Sequence, residues 1–190
     1  MTFSVRLWGD LACFTRPENK VERLSYPLIT PSAARGALEA IFWKPEFAWV
    51  VETIDVIRSG SYVQIMRNEL QSRISPKNAR EWATKRAGYG NYSVEGDRTQ
   101  RYTLALRDVE YVVHAHMQMQ PHASNVVKYQ DQMRRRLKRG QCFQQPYLGL
   151  REFPARFAAA SGDERREPWS ANLGLMLLDI DYVDGRAGGE

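Results

Sequence analysis

The sequence predicts an α+β fold of the ferredoxin-like type, and three observations lead there. Val109 to Gln118 alternates strictly, with Val109, Tyr111, Val113, Ala115 and Met117 facing one way and Glu110, Val112, His114, His116 and Gln118 the other, the period of a strand. Asn125 to Gly140 reads NVVKYQDQMRRRLKRG, where Val126, Met133 and Leu137 recur along one stripe of a helix. The order along the chain is strand, helix, strand, insertion, strand, helix, strand. That is the order of a split βαβ unit, in which two helices cover one face of an antiparallel sheet. RNA-binding modules often use this fold, but a fold alone assigns no function.

The elements follow in order. Phe3 to Trp8 alternates Phe3, Val5, Leu7 against Ser4, Arg6, Trp8, a first strand ended by the turn residues Gly9-Asp10. Prolines 17, 27 and 31 then forbid a long helix. A first helix is expected over SAARGALEAIFW, with Ser32 as its cap, Ala34, Leu38, Ile41 and Phe42 on one face, and Lys44-Pro45 as its stop. Val50 to Ile57 reads as the second strand. From Arg58 to about Arg101 no clean period survives, and the segment reads as a long insertion, with a hairpin joining Tyr62–Met66 to Tyr102–Leu106. The second helix takes Ser124 or Asn125 as its cap and Gly140 as its left-handed stop. Tyr147–Leu150 is expected as a short strand and Leu173–Ile180 as another, buried one. The tail VDGRAGGE is expected to be disordered.

Composition limits the partners. The 190 residues are 43% hydrophobic and 11% aromatic, which argues for a folded globular protein. The net charge of +5 with a pI near 9.3 favours a polyanionic partner. That charge is regional: residues 125–140 alone carry six cations against Asp131, and the density of Arg, with its planar fork, suits phosphate. Cys13 and Cys142 form no close pair and suggest buried thiols in a reducing compartment. MTFSVRLWGD has no signal-peptide pattern, and no apolar run reaches the length of a membrane span. A cytoplasmic protein with no membrane partner is expected.

The residues then suggest a chemistry. A basic helix, and an Arg-rich insertion holding Trp82, Tyr89 and Tyr92, suit single-stranded or hairpin RNA, with phosphates meeting cations and unstacked bases meeting aromatics. Packing is the plainer reading for Trp8, Trp43 and Trp49, which lie beside core elements. RNA cleavage without a metal uses the ribose 2′-hydroxyl as nucleophile, and needs a base, an acid and a cation for the growing charge. All three histidines (114, 116, 122) precede Lys128 and Tyr129 closely. His114 and His116 share a strand face, where an ordinary structural role is the plainer reading; His122, in a loop, is freer to reach a phosphate. No metal-ligand cluster, GxxxxGK[ST] loop or cofactor motif is seen.

Several phrases carry a more specific signal. GDLACFTRPE (9–18), ERLSYPLITPSAARGALEAIFWKP (22–45), LRDVEYVVHAH (106–116), GQCFQQPYLGLREFP (140–154) and LGLMLLDIDY (173–182) resemble the Cas-five family of CRISPR-associated RAMP proteins, in its subtype I-C variant. The resemblance implies a ferredoxin-like (RRM-like) RAMP domain over 1–145 with a basic insertion at about 59–107, then a small C-terminal β region over 146–190. The family normally continues past LGLMLLDIDY, so that region is expected to be short of the family's length. The resemblance also implies a metal-independent endoribonuclease that trims CRISPR repeat RNA and stays on the crRNA 5′ handle within the interference complex.

By motif, the family's cutting Tyr falls at Phe42 in IFWKP, its Lys at Lys128 and its His at Tyr129. Phe42 has no hydroxyl, and Tyr129 serves as a base only if its pKa near 10 is lowered. The candidate catalytic set is therefore Lys128, Tyr129 and His122. The candidate RNA-binding set is Arg134, Arg135, Arg136, Lys138, Arg139 and Arg35. Two alternatives stay open: a crRNA-binding scaffold without catalysis, and a double-stranded DNA binder using the same basic surface.

Overall fold

The computed structural model describes residues 1–19, 21–84, 94–123, 125–168, 170–179, 182–183 and 186–187. The elements run β1 (Thr2–Ala12), β2 (Arg23–Leu24), α1 (Pro31–Ile41), β3 (Phe47–Arg58), β4 (Ser61–Leu70), α2 (Pro76–Thr84), β5 (Arg98–Met119), α3 (Val126–Arg139), β6 (Arg156–Ala159), β7 (Tyr182–Val183) and β8 (Arg186–Ala187). It is a mixed α/β structure, and one sheet holds six of these strands.

Strand β5 is the axis of that sheet. The alternation over Val109–Met117 does place Val109, Tyr111, Val113, Ala115 and Met117 in the core. They share one cluster with Phe3, Val5 and Leu7 of β1, with Leu38 and Ile41 of α1, and with Met133 and Leu137 of α3. Both helices therefore cover one face. Strand β1 pairs antiparallel with β5 (Val5 opposite Val113) and on its other side with β6 (Leu7 opposite Phe157). Strand β3 lies on the far side of β5, with Trp49 opposite Met117. Reading across, the order is β3, β5, β1, β6.

The insertion has more order than its sequence suggests. Strand β4 pairs with the first half of β5, Tyr62 opposite Leu106 and Met66 opposite Tyr102, so the expected hairpin is present. It continues the β3–β5 ladder outward as an arm that is two-stranded beyond Thr103, where β2 pairs parallel with β5 (Arg23 opposite Thr103), with α2 in its connection. Its period is hidden because apolar Val63 and Ile65 alternate with Tyr62, Gln64 and Met66 on a strand covered on one side only. The junction is marked by two positive φ angles, 79° at Gly60 and 58° at Asp108. A Cβ on Gly60 would lie 2.4 Å from the Arg107 carbonyl oxygen, so glycine is required there. Trp82 is half-buried in α2, and Tyr89 and Tyr92 lie outside the described residues.

Other expectations need correction. Thr30, not Ser32, caps α1: its side chain accepts from the Ala33 N–H at 3.2 Å, and Pro31 takes the first helical position, where its missing N–H costs nothing. Tyr147–Leu150 is not a strand. It is a turn-rich loop with one bridge, Tyr147 to Pro154, and it inserts Leu148 beside Gly9. Gly149, at φ 86°, sits where a Cβ would meet the Cys13 carbonyl. Nor do residues 171–179 form a strand, and Ile180 lies outside the described residues. Leu173, Met176 and Leu177 pack partly on the core while Leu175 is 97% exposed. An apolar run without turn signals is ambiguous, and here it is an irregular strap. In the tail, Tyr182–Val183 pairs with Arg186–Ala187, and the rest of VDGRAGGE lies outside the described residues. Cys142 is half-buried and free, whereas Cys13 is fully buried.

Candidate nucleic-acid interface

The site is built where the end of α1 meets the start of α3. Asn125 caps α3, its side chain accepting from the Lys128 N–H at 3.2 Å. Gly140 ends the helix at φ 62°, and Arg136, Lys138 and Arg139 occupy its last turn, where cations suit the helix dipole. Tyr129, Met133 and Leu137 are the buried stripe, with Val126 only half-buried. Spacing of four brings all three to one face, so Tyr129 takes the place in the stripe that spacing alone gives to Val126.

This packing joins the three positions singled out by motif. The ring centroids of Phe42 and Tyr129 are 6.5 Å apart, and Phe47 stands 5.6 Å from Tyr129. The Lys128 ammonium lies 5.8 Å from the Tyr129 ring centroid, on an exposed side chain. Phe42 is fully buried and Tyr129 is 8% exposed. Burial, together with the negative charge of Glu46 and a hydrogen bond to it, pushes the Tyr129 hydroxyl above its usual value. At neutral pH this phenol is a donor and not a base.

Arg136 fastens the two helices together. Its guanidinium lies 4.9 Å over the Phe42 ring and donates to the Ile41 carbonyl. Trp49 Nε1 donates to the Phe42 carbonyl at 2.7 Å, tying β3 to the same point. The Gln120 N–H donates to the Glu46 carbonyl at 2.9 Å. That bond holds the β5–α3 turn, with its exposed His122, beside the start of β3.

The remaining cations divide in two. Arg135, Lys138 and Arg139 are exposed and without an ion-pair partner among the described residues. Arg134 pairs with Asp131 and approaches the Met1 sulfur. Arg35, on α1, is half-buried and pairs with Glu39 at 3.1 Å and Asp179 at 2.6 Å. It is already engaged by these two carboxylates. The other two histidines lie on the opposite sheet face: His114 bridges Ser4 at 2.8 Å and Asp55 at 3.0 Å, and His116 bonds Glu52 at 2.7 Å. These are structural ties, in line with the plainer reading of both residues.

Sequence reasoning misses two residues at this site. Trp43 is 51% exposed and Phe143 is 70% exposed, although the sequence suggests packing for Trp43. The signal that could have found Trp43 is its position just past the helix, next to an inward-facing Phe42.

A family model described as "CRISPR-associated protein (Cas_Cas5)", of the Cas5d type, matches residues 2–187. The chain belongs to the Cas5d family. Two curated Cas5d relatives are named CRISPR pre-crRNA endoribonuclease. The one from Thermus thermophilus is 47% identical over 95% of this chain and 73% of its own length. The one from Mannheimia succiniciproducens is 43% identical over 95% of this chain and 85% of its own. Solved structures share the fold. A crystal structure of a CRISPR-associated protein gives a TM-score of 0.66 at 23% identity, covering 96% of this chain and 81% of that one. A chain of a CRISPR RNA-guided surveillance complex gives 0.50 at 17% identity, covering 85% and 61%. No helix among the described residues of this Cas5d-family chain is long and apolar enough to cross a membrane.

Proposed function

We propose that this chain is a pre-crRNA endoribonuclease that cleaves CRISPR repeat RNA and then stays on the crRNA 5′ handle as a subunit of an interference complex. The observation that carries the reading is the convergence of Phe42, Lys128 and Tyr129 at one junction, in a chain 43–47% identical to curated pre-crRNA endoribonucleases. The strand order β3, β5, β1, β6, with both helices on one face, supports the ferredoxin-like description of the domain. The division at about residue 145 is part of the same reading.

The chemistry proceeds by attack of a ribose 2′-hydroxyl on its own 3′-phosphate, giving a cyclic phosphate and a free 5′-hydroxyl. Lys128 projects into solvent from the first turn of α3 and neutralises the charge that grows on the phosphoryl oxygens. Tyr129 carries the packing that fixes Lys128, and its protonated hydroxyl serves as a donor and not as the base. His122 is the exposed imidazole of the neighbouring turn and takes the proton-transfer role. Arg135, Lys138 and Arg139 line the same helix and hold the RNA backbone.

Incubating the protein with repeat RNA in EDTA tests this. A defined fragment ending in a cyclic phosphate is the expected product. A binding-only scaffold is favoured by the burial of Phe42, which has no hydroxyl, and it predicts salt-sensitive repeat binding with no fragment at any time. Competition with random duplex DNA separates RNA recognition from general polyanion binding.

A further inference from the structure

We propose that Trp43 and Phe143 form a stacking platform for unpaired nucleotides beside the phosphate at Lys128, an inference that rests on the RNA-binding reading above. Large aromatics exposed singly are ordinary on protein surfaces. These two are not independent. Phe42 is extended, with φ −153° and ψ 116°, and successive side chains on extended backbone point to opposite sides. Because Phe42 turns inward to Tyr129, Trp43 is turned out to solvent.

Phe143 is fixed to the same helix end. Its N–H is shared between the Ala40 and Ile41 carbonyls, at 3.0 and 3.2 Å, and the Gln144 N–H also donates to Ala40 at 2.9 Å. Arg136 donates to Ile41 as well. The last carbonyls of α1, which would repel a phosphate, are thus occupied by the protein's own donors. Aromatic and cationic side chains stand out at this surface, where Trp43, Lys44, Lys128 and Phe143 are all exposed alongside the neutral Pro45, Gln141 and Gln144. Such a surface fits a single strand, whose bases stack on rings while its phosphates meet ammonium groups. Because the backbone of Phe143 is held by hydrogen bonds, less conformational freedom is lost when a base lands on it.

The test is a mutant cycle on binding. Repeat RNA and a set of repeat RNAs, each with one abasic site flanking the cleavage position, are titrated by fluorescence anisotropy against the full chain. The protein variants are W43A, F143A, W43F and F143Y. Each alanine variant is expected to lose about 5- to 100-fold in affinity for intact RNA. W43F and F143Y, which keep a ring, should hold most of the affinity. The loss should vanish on the RNA whose abasic site removes the stacked base, with the salt dependence unchanged. Undiminished binding by both alanine variants overturns the platform, and so does an equal loss on every abasic RNA. If RNA binding is intact but assembly with other protein subunits fails, these aromatics serve a protein interface and the proposal falls. RNA bound by stacking yet never cut would sink the nuclease reading and leave the platform standing. Wild-type protein that binds no repeat RNA sinks both.

Discussion

Tyr129 and Phe42 stand with ring centroids 6.5 Å apart and planes tilted by 36°. One lies in the first turn of α3 and the other caps the end of α1. Their contact makes the two helix ends one surface, so Lys128 is positioned by an aromatic core and not by a flexible loop. Changes to the core beneath it should therefore register in the chemistry above it.

Lys128→Ala should lower the single-turnover cleavage rate by about 10²- to 10³-fold, the usual cost of removing one group that stabilises developing charge. Lys128→Arg should keep part of the rate, because the cation remains. Full wild-type cutting by Lys128→Ala would remove this residue from the mechanism.

Placing at Phe42 and Tyr129 the groups that the resemblance implies there should raise activity. Phe42→Tyr with Tyr129→His supplies a hydroxyl and an imidazole at adjoining positions, and the double variant is expected to cut faster than wild type. The pH–rate profile should change in the neutral range, since a second imidazole then titrates there beside the one of His122. An unchanged profile would show that these positions take no part in proton transfer.

Replacing Arg135, Lys138 and Arg139 together by alanine should weaken RNA binding without regard to sequence. The slope of log affinity against log salt should flatten by about two units, at roughly 0.7 for each single-strand phosphate that the protein no longer neutralises. Arg136→Ala is expected to behave differently. Its interactions with Phe42 and Ile41 are intramolecular, so thermal stability should fall along with binding.

Glu164 offers a pH test away from the site. Its carboxylate accepts from the Ser161 and Gly162 N–H groups at 2.8 and 2.9 Å, and the Ser161 amide is the largest influence lowering its pKa, to about 2. A depressed carboxylate contributes stability that is fully present above the unfolded value and is lost as pH falls through the folded one. The window runs from about pH 4.5 down to about 2. Glu164→Gln should flatten the acid limb of a pH–stability curve there, and an identical limb would show that the carboxylate is screened by solvent.

Met133→Ala probes the core under the site. Met133 is fully buried on α3, and the truncation should cost about 2–5 kcal/mol in denaturant unfolding. A smaller effect would mean that the gap between α3 and the sheet closes readily.

Much of the fold is legible in the sequence because its signals are local. The alternation in β5 places its core face correctly, and the Asn125 and Gly140 caps bound α3 within a residue. Where the reading fails, tertiary context decides. Leu173–Leu178 carries the composition of a buried strand, but no free strand edge pairs with it, and its leucines divide between a groove beside Leu28 and Ile29 and open solvent. Val126 fits the helical stripe as well as Tyr129 does by spacing, and only the presence of Phe42 and Phe47 opposite chooses Tyr129. At the site, Lys128 and the Arg block are readable as charge. The exposure of Trp43 and Phe143 is not, since both sit in phrases that look like core.

Strand β5 passes without interruption from the outer arm into the middle of the sheet. Its first five residues, Arg98–Tyr102, pair with β4 alone; Thr103 and Leu104 pair also with β2, Leu106 and Arg107 also with β1, and the stretch after Asp108 pairs with β1 and β3. Two regions of unequal protection therefore share one backbone. In amide hydrogen exchange, the N–H groups after Val109 should exchange only through global unfolding, while those before Thr103 open locally. A partner that clamps the arm would slow exchange there first, and Thr103, where β2 joins the ladder, should mark where that added protection stops.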